Sequence, residues 1–285
     1  MSQIVAATDF STRSQRALRR AGRLARQTAA ELTLVHVVDD DQPEALVELE
    51  RREADKFMNE QIGSLDELRD LRCRAVVTTG EAFDGILKTA KSASADLIVM
   101  GSHRKQILRD IFVGTTIERV IRTGPHPVLM VNTDTELPYR YVIAGVDMSE
   151  PSARAIKTAK ALGLVDDANL TVVHAFIAVA KGKLYVANAS KDQIDDYVAR
   201  ERMQAGEELF AFMSAHGLNG PRWSHRIEEG GAFEVISRVV KETVPDLVVI
   251  GTHGRSGIVK MLIGSVAEEA LRSLDVDILA VPPAR

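Results

Sequence analysis

The residues best placed to do chemistry are glycines. Gly251-Thr-His-Gly254 followed by Gly264-Ser265 spells G-x2-G-x9-G-S. Glycines at such positions permit unusual dihedrals and let a ligand approach the main chain closely. Ser265 adds a hydroxyl, and the helix it opens presents unpaired N–H groups suited to phosphate oxygens. The competing reading is architectural: the glycines turn the chain between a strand and a helix. Earlier in the chain a related segment, Gly101-Ser-His-Arg104 with Gly114-Thr115-Thr116, carries arginine in place of the second glycine. Other residues at the same end of the fold are Thr8-Asp9-Phe10-Ser11 and Val146-Asp147-Met148-Ser149.

These segments need a frame that brings them together. Ile4–Ala7, Leu32–Val38, Arg74–Thr78, Leu97–Met100 and Val128–Val131 are β-branched-rich runs of strand length. Between them lie helical patterns. Ser11 or Ser14 caps a helix with Ala17, Ala21, Leu24 and Ala25 on its apolar face. Pro43 to Leu68 reads as a second helix, with Leu46, Leu49, Phe57, Ile62 and Leu65 on or near one stripe. Strands apolar on both faces, alternating with helices, predict a parallel, doubly wound α/β sheet. In such sheets ligands sit at the carboxyl ends of the strands, where both glycine segments and both Asp-x-Ser turns fall.

The frame occurs twice. Ile4–Val38 aligns with Val142–Phe176 at an offset of 138, with 13 of 35 positions identical, among them Asp9, Ser11, Ser14, Arg16 and His36. From Gly80 and Gly230 onward the offset is 150, so the second half holds 12 extra residues between His174 and Gly230. Two domains are expected, 1–133 and 140–285, joined by the linker Thr133 to Arg140. The net charge of −4 divides evenly: 19 basic against 21 acidic residues up to 139, and 17 against 19 beyond it. Neither half carries the basic footprint of a nucleic-acid domain, and 5% aromatics argues against a base-stacking platform. The single Cys73 excludes an internal disulfide framework and suits a reducing compartment. No membrane span or signal peptide is visible, so a soluble, cytoplasmic protein is expected.

In these motifs the chain resembles the universal stress protein family in its tandem form. The resemblance rests on the Asp-x-Ser strand ends, Leu34-Val-His-Val37 with Val172-Val-His-Ala175, and Asp96-Leu-Ile-Val-Met-Gly101 with Asp246-Leu-Val-Val-Ile-Gly251. The closing Pro127-Val-Leu-Met-Val131 completes it, and together these marks cover nearly the whole chain. It implies two five-stranded parallel sheets of strand order 3-2-1-4-5 with helices on both faces, paired through their last strands into a pseudo-dimer. It leaves open a homodimer of whole chains. The family's ATP-binding members carry the same glycine spacing, which implies ATP, with or without Mg²⁺, as the ligand of the second half. By position, Gly251, Gly254, Gly264, Ser265 and Val266 would cradle the phosphates. Asp147 would face the ribose or a phosphate-bound Mg²⁺, and the backbone of Ala175 would meet the adenine edge. Local chemistry gives Asp147 a second use, as a capping carboxylate beside Ser149. No residue is assigned as catalytic, and none as a metal ligand.

The first half departs from the pattern at Arg104. A left-handed arginine costs about 1–2 kcal/mol, while a guanidinium beside phosphates contributes about 1.5–3 kcal/mol. These offset each other, so lost room decides, and the first site is expected to bind nucleotide poorly or not at all. His36 and His174 read as packed or hydrogen-bonded structural histidines, whereas His103 and His253 stand beside the glycine loops and fit either role. Arg13, Arg16, Arg20 and Arg23 read as a solvated face of the first helix. Cys73 has no partner motif for a nucleophile. In the longer stretch 178–220, Ala180–Tyr185 reads as a loop and Ser190–Ala215 as a long helix; the segment fits a longer sheet cover better than a lid or partner surface.

Three functions of different class are compatible with this sequence. The leading one is a stress-associated, nucleotide-binding regulatory protein with ATP in the second half. The second is a scaffold, or a binder of a non-nucleotide small molecule or lipid-like ligand. The third is a slow ATPase, which lacks support: there is no G-x-x-x-x-G-K loop, and spacing identifies no nucleophile–base pair.

Overall fold

The computed structural model describes residues 1–102, 115–134, 138–254 and 263–283. The first half runs β1 (Gln3–Ala7), α1 (Thr12–Thr28), β2 (Glu31–Val38), α2 (Glu44–Ser64), β3 (Cys73–Thr79), α3 (Ala82–Ser92), β4 (Leu97–Gly101), α4 (Thr116–Thr123) and β5 (Val128–Val131). The second half runs β6 (Tyr141–Gly145), α5 (Glu150–Ala161), β7 (Asn169–Phe176), α6 (Lys181–Val186), α7 (Lys191–Ala215), β8 (Trp223–Glu229), α8 (Ala232–Thr243), β9 (Leu247–Gly251), α9 (Ser265–Ser273) and β10 (Asp277–Val281).

Each half is a parallel five-stranded sheet of order 3-2-1-4-5. The two join edge to edge into one ten-stranded sheet, β3-β2-β1-β4-β5-β10-β9-β6-β7-β8. The seam is antiparallel, with Met130 opposite Ile278 and Val128 opposite Ala280. Joining the last strands removes two sheet edges that would otherwise expose unpaired backbone groups. One face of the sheet is covered by α1, α2, α5 and α7, the other by α3, α4, α8 and α9. The central strands are buried on both sides, as their unbroken apolar runs require.

Local chemistry explains the element starts. Ser11 is the N-cap of α1, accepting from the Ser14 amide at 3.3 Å, and Ser149 caps α5 in the same way. Ser190 and Gln193 form a capping box at the start of α7. A shared tether sets where each half begins. Asp96 Oδ2 accepts from the Ser2 and Gln3 amides, and Asp246 Oδ2 from those of Arg140 and Tyr141. The Asp that opens each Asp-Leu-x-Val motif therefore clamps the first strand to the fourth.

Three expectations are corrected. The second helix ends at Ser64, and its packed face is Ala54, Met58 and Gln61 rather than Leu46, Leu49 and Phe57, which stay exposed. The buried residues all come from the second half of the helix, so only that half rests on the sheet. Residues 181–186 form the short helix α6 instead of a loop, with none of its residues buried.

The arginine stripe of α1 is not a solvated face. Arg20 is 3% exposed and its Nε lies 3.4 Å from the wholly buried Asp277 of β10. Arg23 pairs with Glu67 at 2.7 Å, and Arg16 donates to the Asn132 carbonyl. The linker meets the same seam: Tyr139 is buried, its hydroxyl donates to Asp277 at 2.8 Å, and its ring lies under the Arg20 guanidinium at 4.5 Å. The reason is the same for both. The seam brings Arg20 of α1 and Tyr139 of the linker against Asp277 at the start of β10 in the other half, a proximity that no local pattern encodes.

Candidate functional site

Two cavities open at the carboxyl ends of the strands, one in each half. The second, of about 180 Å³, is walled by Val146, Asp147, Val173, Ala175, Ile236 and Ile250 and floored by the glycine segment. All seven residues singled out in the sequence, Asp147, Ala175, Gly251, Gly254, Gly264, Ser265 and Val266, line it.

Their geometry separates their tasks. A Cβ on Gly251 would come within 3.0 Å of the Pro151 carbonyl, so this glycine lets α5 pack against the strand end. Gly101 does the same for α1, where a Cβ would meet the Arg13 backbone at 2.6 Å. Gly254 differs: a Cβ there would sit 2.8 Å from Asp147 Oδ2, inside the cavity. None of Gly251, Gly254 and Gly264 has a positive φ. Gly254 therefore leaves room beside Asp147 rather than serving a left-handed backbone.

Gly264 donates its N–H to the Thr252 carbonyl at 2.7 Å, which draws the loop's end against β9. As N-cap of α9 it offers no side-chain cap, whereas Thr115 at the matching end of the first half accepts from the Glu118 amide. Ser265 and Val266 line the cavity in the first turn of a helix that has no side-chain cap, an end of partial positive charge. Beside them, His253 Nδ1 meets Thr252 Oγ1 at 3.1 Å, and its Nε2 is buried with no hydrogen-bond partner among the described residues.

Asp147 Oδ1 accepts from the Ser149 amide at 3.1 Å and from its hydroxyl at 2.5 Å, ordering the turn into α5. The turn holds Met148 at φ 60°, and its counterpart Phe10 is at φ 61°. Ser149 is the N-cap of α5, so Asp147 orders the turn ahead of the helix rather than capping it, and it lines the pocket as well.

A model of the universal stress protein family matches residues 1–132 and again 138–282. The chain belongs to the universal stress protein family. Among curated relatives, it is 25% identical over 239 residues to universal stress protein E homolog of Haemophilus influenzae, spanning 81% of this chain and 74% of that one. It is 26% identical over 216 residues to universal stress protein E of Escherichia coli K12, spanning 73% and 67%. A crystal structure of a universal stress protein from Archaeoglobus fulgidus DSM 4304 superposes with a TM-score of 0.72 at 18% identity, covering 98% of each chain. At that identity the likeness speaks for the fold.

The first universal stress protein unit keeps its own cavity, of about 300 Å³, lined by Thr8, Asp9, Arg13, His36, Gly101 and Thr115 among others. His103, Arg104 and Gly114 lie outside the described residues. Asp9 mirrors Asp147, accepting from the Ser11 amide. Burial opposes its charge, but the Ser11 and Ser14 hydroxyls, the Ser11 amide and Arg13 hold its carboxyl below the ordinary value. His36 and His174 take matching hydrogen bonds from Nδ1 to the carbonyls of Thr8 and Val146, at 2.8 and 2.7 Å. Burial pushes the Cys73 thiol up to about 12, which keeps it a thiol and a poor nucleophile.

Sequence reading missed Ser152, Ala232 and Ile236 in the pocket wall. Ser152 had a signal, being identical to Ser14 in the repeat. The other two come from α8, which reaches the site only through the fold. No helix among the described residues is long and apolar enough to cross a membrane.

Proposed function

We propose that this universal stress protein is a stress-associated regulatory protein built of two domains, 1–133 and 140–285, that binds an adenine nucleotide in the second. The observation that carries the reading is the convergence of an uncapped helix start, an unobstructed Gly254 and the Asp147 carboxylate on one apolar-walled cavity. Gly254, Gly264, Ser265 and Val266 hold the phosphates, with first-turn amides as donors. Val173, Ala175 and Ile236 supply the apolar wall for the base. Gly251 supports the site by letting α5 close onto it.

A Mg²⁺ carried by the nucleotide fits this donor set in a limited way. Among the described residues no three His, Cys, Asp or Glu side chains converge, so phosphate oxygens and water would supply most ligands, with Asp147 as a single protein carboxylate. The reading is one of binding, and it assigns no catalytic residue.

The test is isothermal titration of ATP, with and without Mg²⁺, into the full chain and into Gly254→Arg and Arg104→Gly. The expected result is one site in the parent, lost in Gly254→Arg and joined by a second in Arg104→Gly. Absence of heat with any adenine nucleotide sinks the reading and promotes a scaffold or a non-nucleotide ligand.

A further inference from the structure

The two pockets share a frame up to the end of the second strand of each half, and there they diverge. Gly80 donates to the Val38 carbonyl and Gly230 to that of Phe176, both at 3.0 Å, so the strand ends are equivalent points. Beyond them the first half continues Asp39-Asp40-Asp41, all three exposed. The second half continues Ile177-Ala178-Val179 and then enters α6, part of the stretch that makes it longer.

This second continuation leaves apolar side chains largely exposed. Ile177 is 68% exposed, Val179 78%, Tyr185 61% and Val186 85%. A surface segment that exposes this much apolar area signals something that covers it. The segment is nevertheless ordered and tied to the pocket's rim. Ala175, which lines the cavity, precedes Ile177 by two residues. Lys181 reaches both carboxylate oxygens of Glu229 at 3.0 and 2.8 Å, and Glu229 lies just ahead of Ala232 in the pocket wall. The Ala180 amide donates to the Tyr197 hydroxyl at 3.1 Å. Lys183 adds an exposed positive charge.

We propose that the segment Ile177–Val186 is the specificity element of the second pocket, an apolar, lysine-bearing cover that settles on a bound aromatic anion, while Asp39–Asp41 gives the matching rim of the first pocket the opposite charge. The proposal rests on the reading of the second pocket as a nucleotide site. Three carboxylates that begin two residues beyond Val37, which lines the first pocket, repel a polyphosphate at a range of about 8 Å in physiological salt, and the apolar, lysine-bearing segment that begins two residues beyond Ala175 does not. Discrimination between the halves then comes from the rims as well as from the glycine loops.

The experiment transfers the first rim's chemistry to the second. MgATP and neutral adenosine are titrated into the parent, into Ile177→Asp/Val179→Asp, and into Leu46→Asp/Leu49→Asp, which adds the same charge on α2 of the first half. All four positions are exposed, and unchanged thermal melting confirms folding. The expected result is a loss of at least tenfold in MgATP affinity for the rim variant, smaller in high salt, a lesser loss for adenosine, and a control within twofold of the parent. A rim variant that binds MgATP within twofold of the parent overturns the proposal and leaves the pocket reading intact. An equal loss in the α2 control overturns it as well, since net charge alone would then account for the effect. A parent that binds neither probe overturns the pocket reading, and this proposal with it.

Discussion

Asp147 and Gly254 face each other across the second pocket, with Asp147 Oδ2 2.8 Å from the point that a Cβ on residue 254 would occupy. Gly254→Ala therefore pushes the carboxylate from its place without straining the backbone. The expected outcome is a loss of ATP affinity of about tenfold, near 1.4 kcal/mol, with thermal stability close to the parent's. Titration calorimetry and a melting curve check the two halves of that statement separately.

The Arg20–Asp277 pair joins α1 of the first half to β10 of the second in full burial. Removing one partner of such a pair costs about 3–5 kcal/mol, because the other charge stays buried. Arg20→Met is expected to fall in that range in urea unfolding. Asp277→Asn is expected to be at least as costly, since Asp277 also accepts from the Asn132 and Thr133 amides and from Tyr139. A loss under 1 kcal/mol for Arg20→Met would show that the pair does not hold the halves together.

Acid should loosen the first strand. Burial opposes ionisation of Asp96, but the Ser2 and Gln3 amides, the Ser2 hydroxyl and the N-terminal charge outweigh it and hold the carboxyl below its ordinary value. A depressed folded pKa gives stability that is complete above the unfolded value, about 3.9, and is lost as pH falls through the folded value. The stability gap between the parent and Asp96→Asn, read from urea midpoints, is therefore expected to be open at neutral pH and to close under acid. A gap that stays constant with pH would place the tether's contribution elsewhere.

Val244 ends α8 at φ 45°, a left-handed conformation that a β-branched residue adopts at a cost, and its side chain is 77% exposed. Val244→Gly removes the strain and loses little packing. Stability is expected to rise by about 1 kcal/mol, measurable as an upward shift in thermal melting. Ser94, at the equivalent end of α3 with φ 51°, is expected to respond in the same direction.

The strands and the doubling of the fold were legible in the sequence, because each rests on a local signal, whereas the seven residues that line the second pocket came from their positions in the family's motif. Apolar runs of strand length report burial on both faces. The offsets of 138 and 150 report duplication, and the glycine spacing at a strand end marks the segment that floors the second pocket. What the tertiary structure alone decided are relations between distant elements. Antiparallel pairing of β5 with β10 buried Arg20 against Asp277, although the arginine spacing on α1 has the pattern of a solvated face. Packing of α2 by its last turns exposed Leu46 and Leu49, which amphipathic spacing had assigned to a core. The fold also divided one motif between two tasks, giving Gly251 to helix packing and Gly254 to the cavity. A sequence pattern states which residues avoid water or permit close approach; which surface they approach is fixed only when the second half closes onto the first.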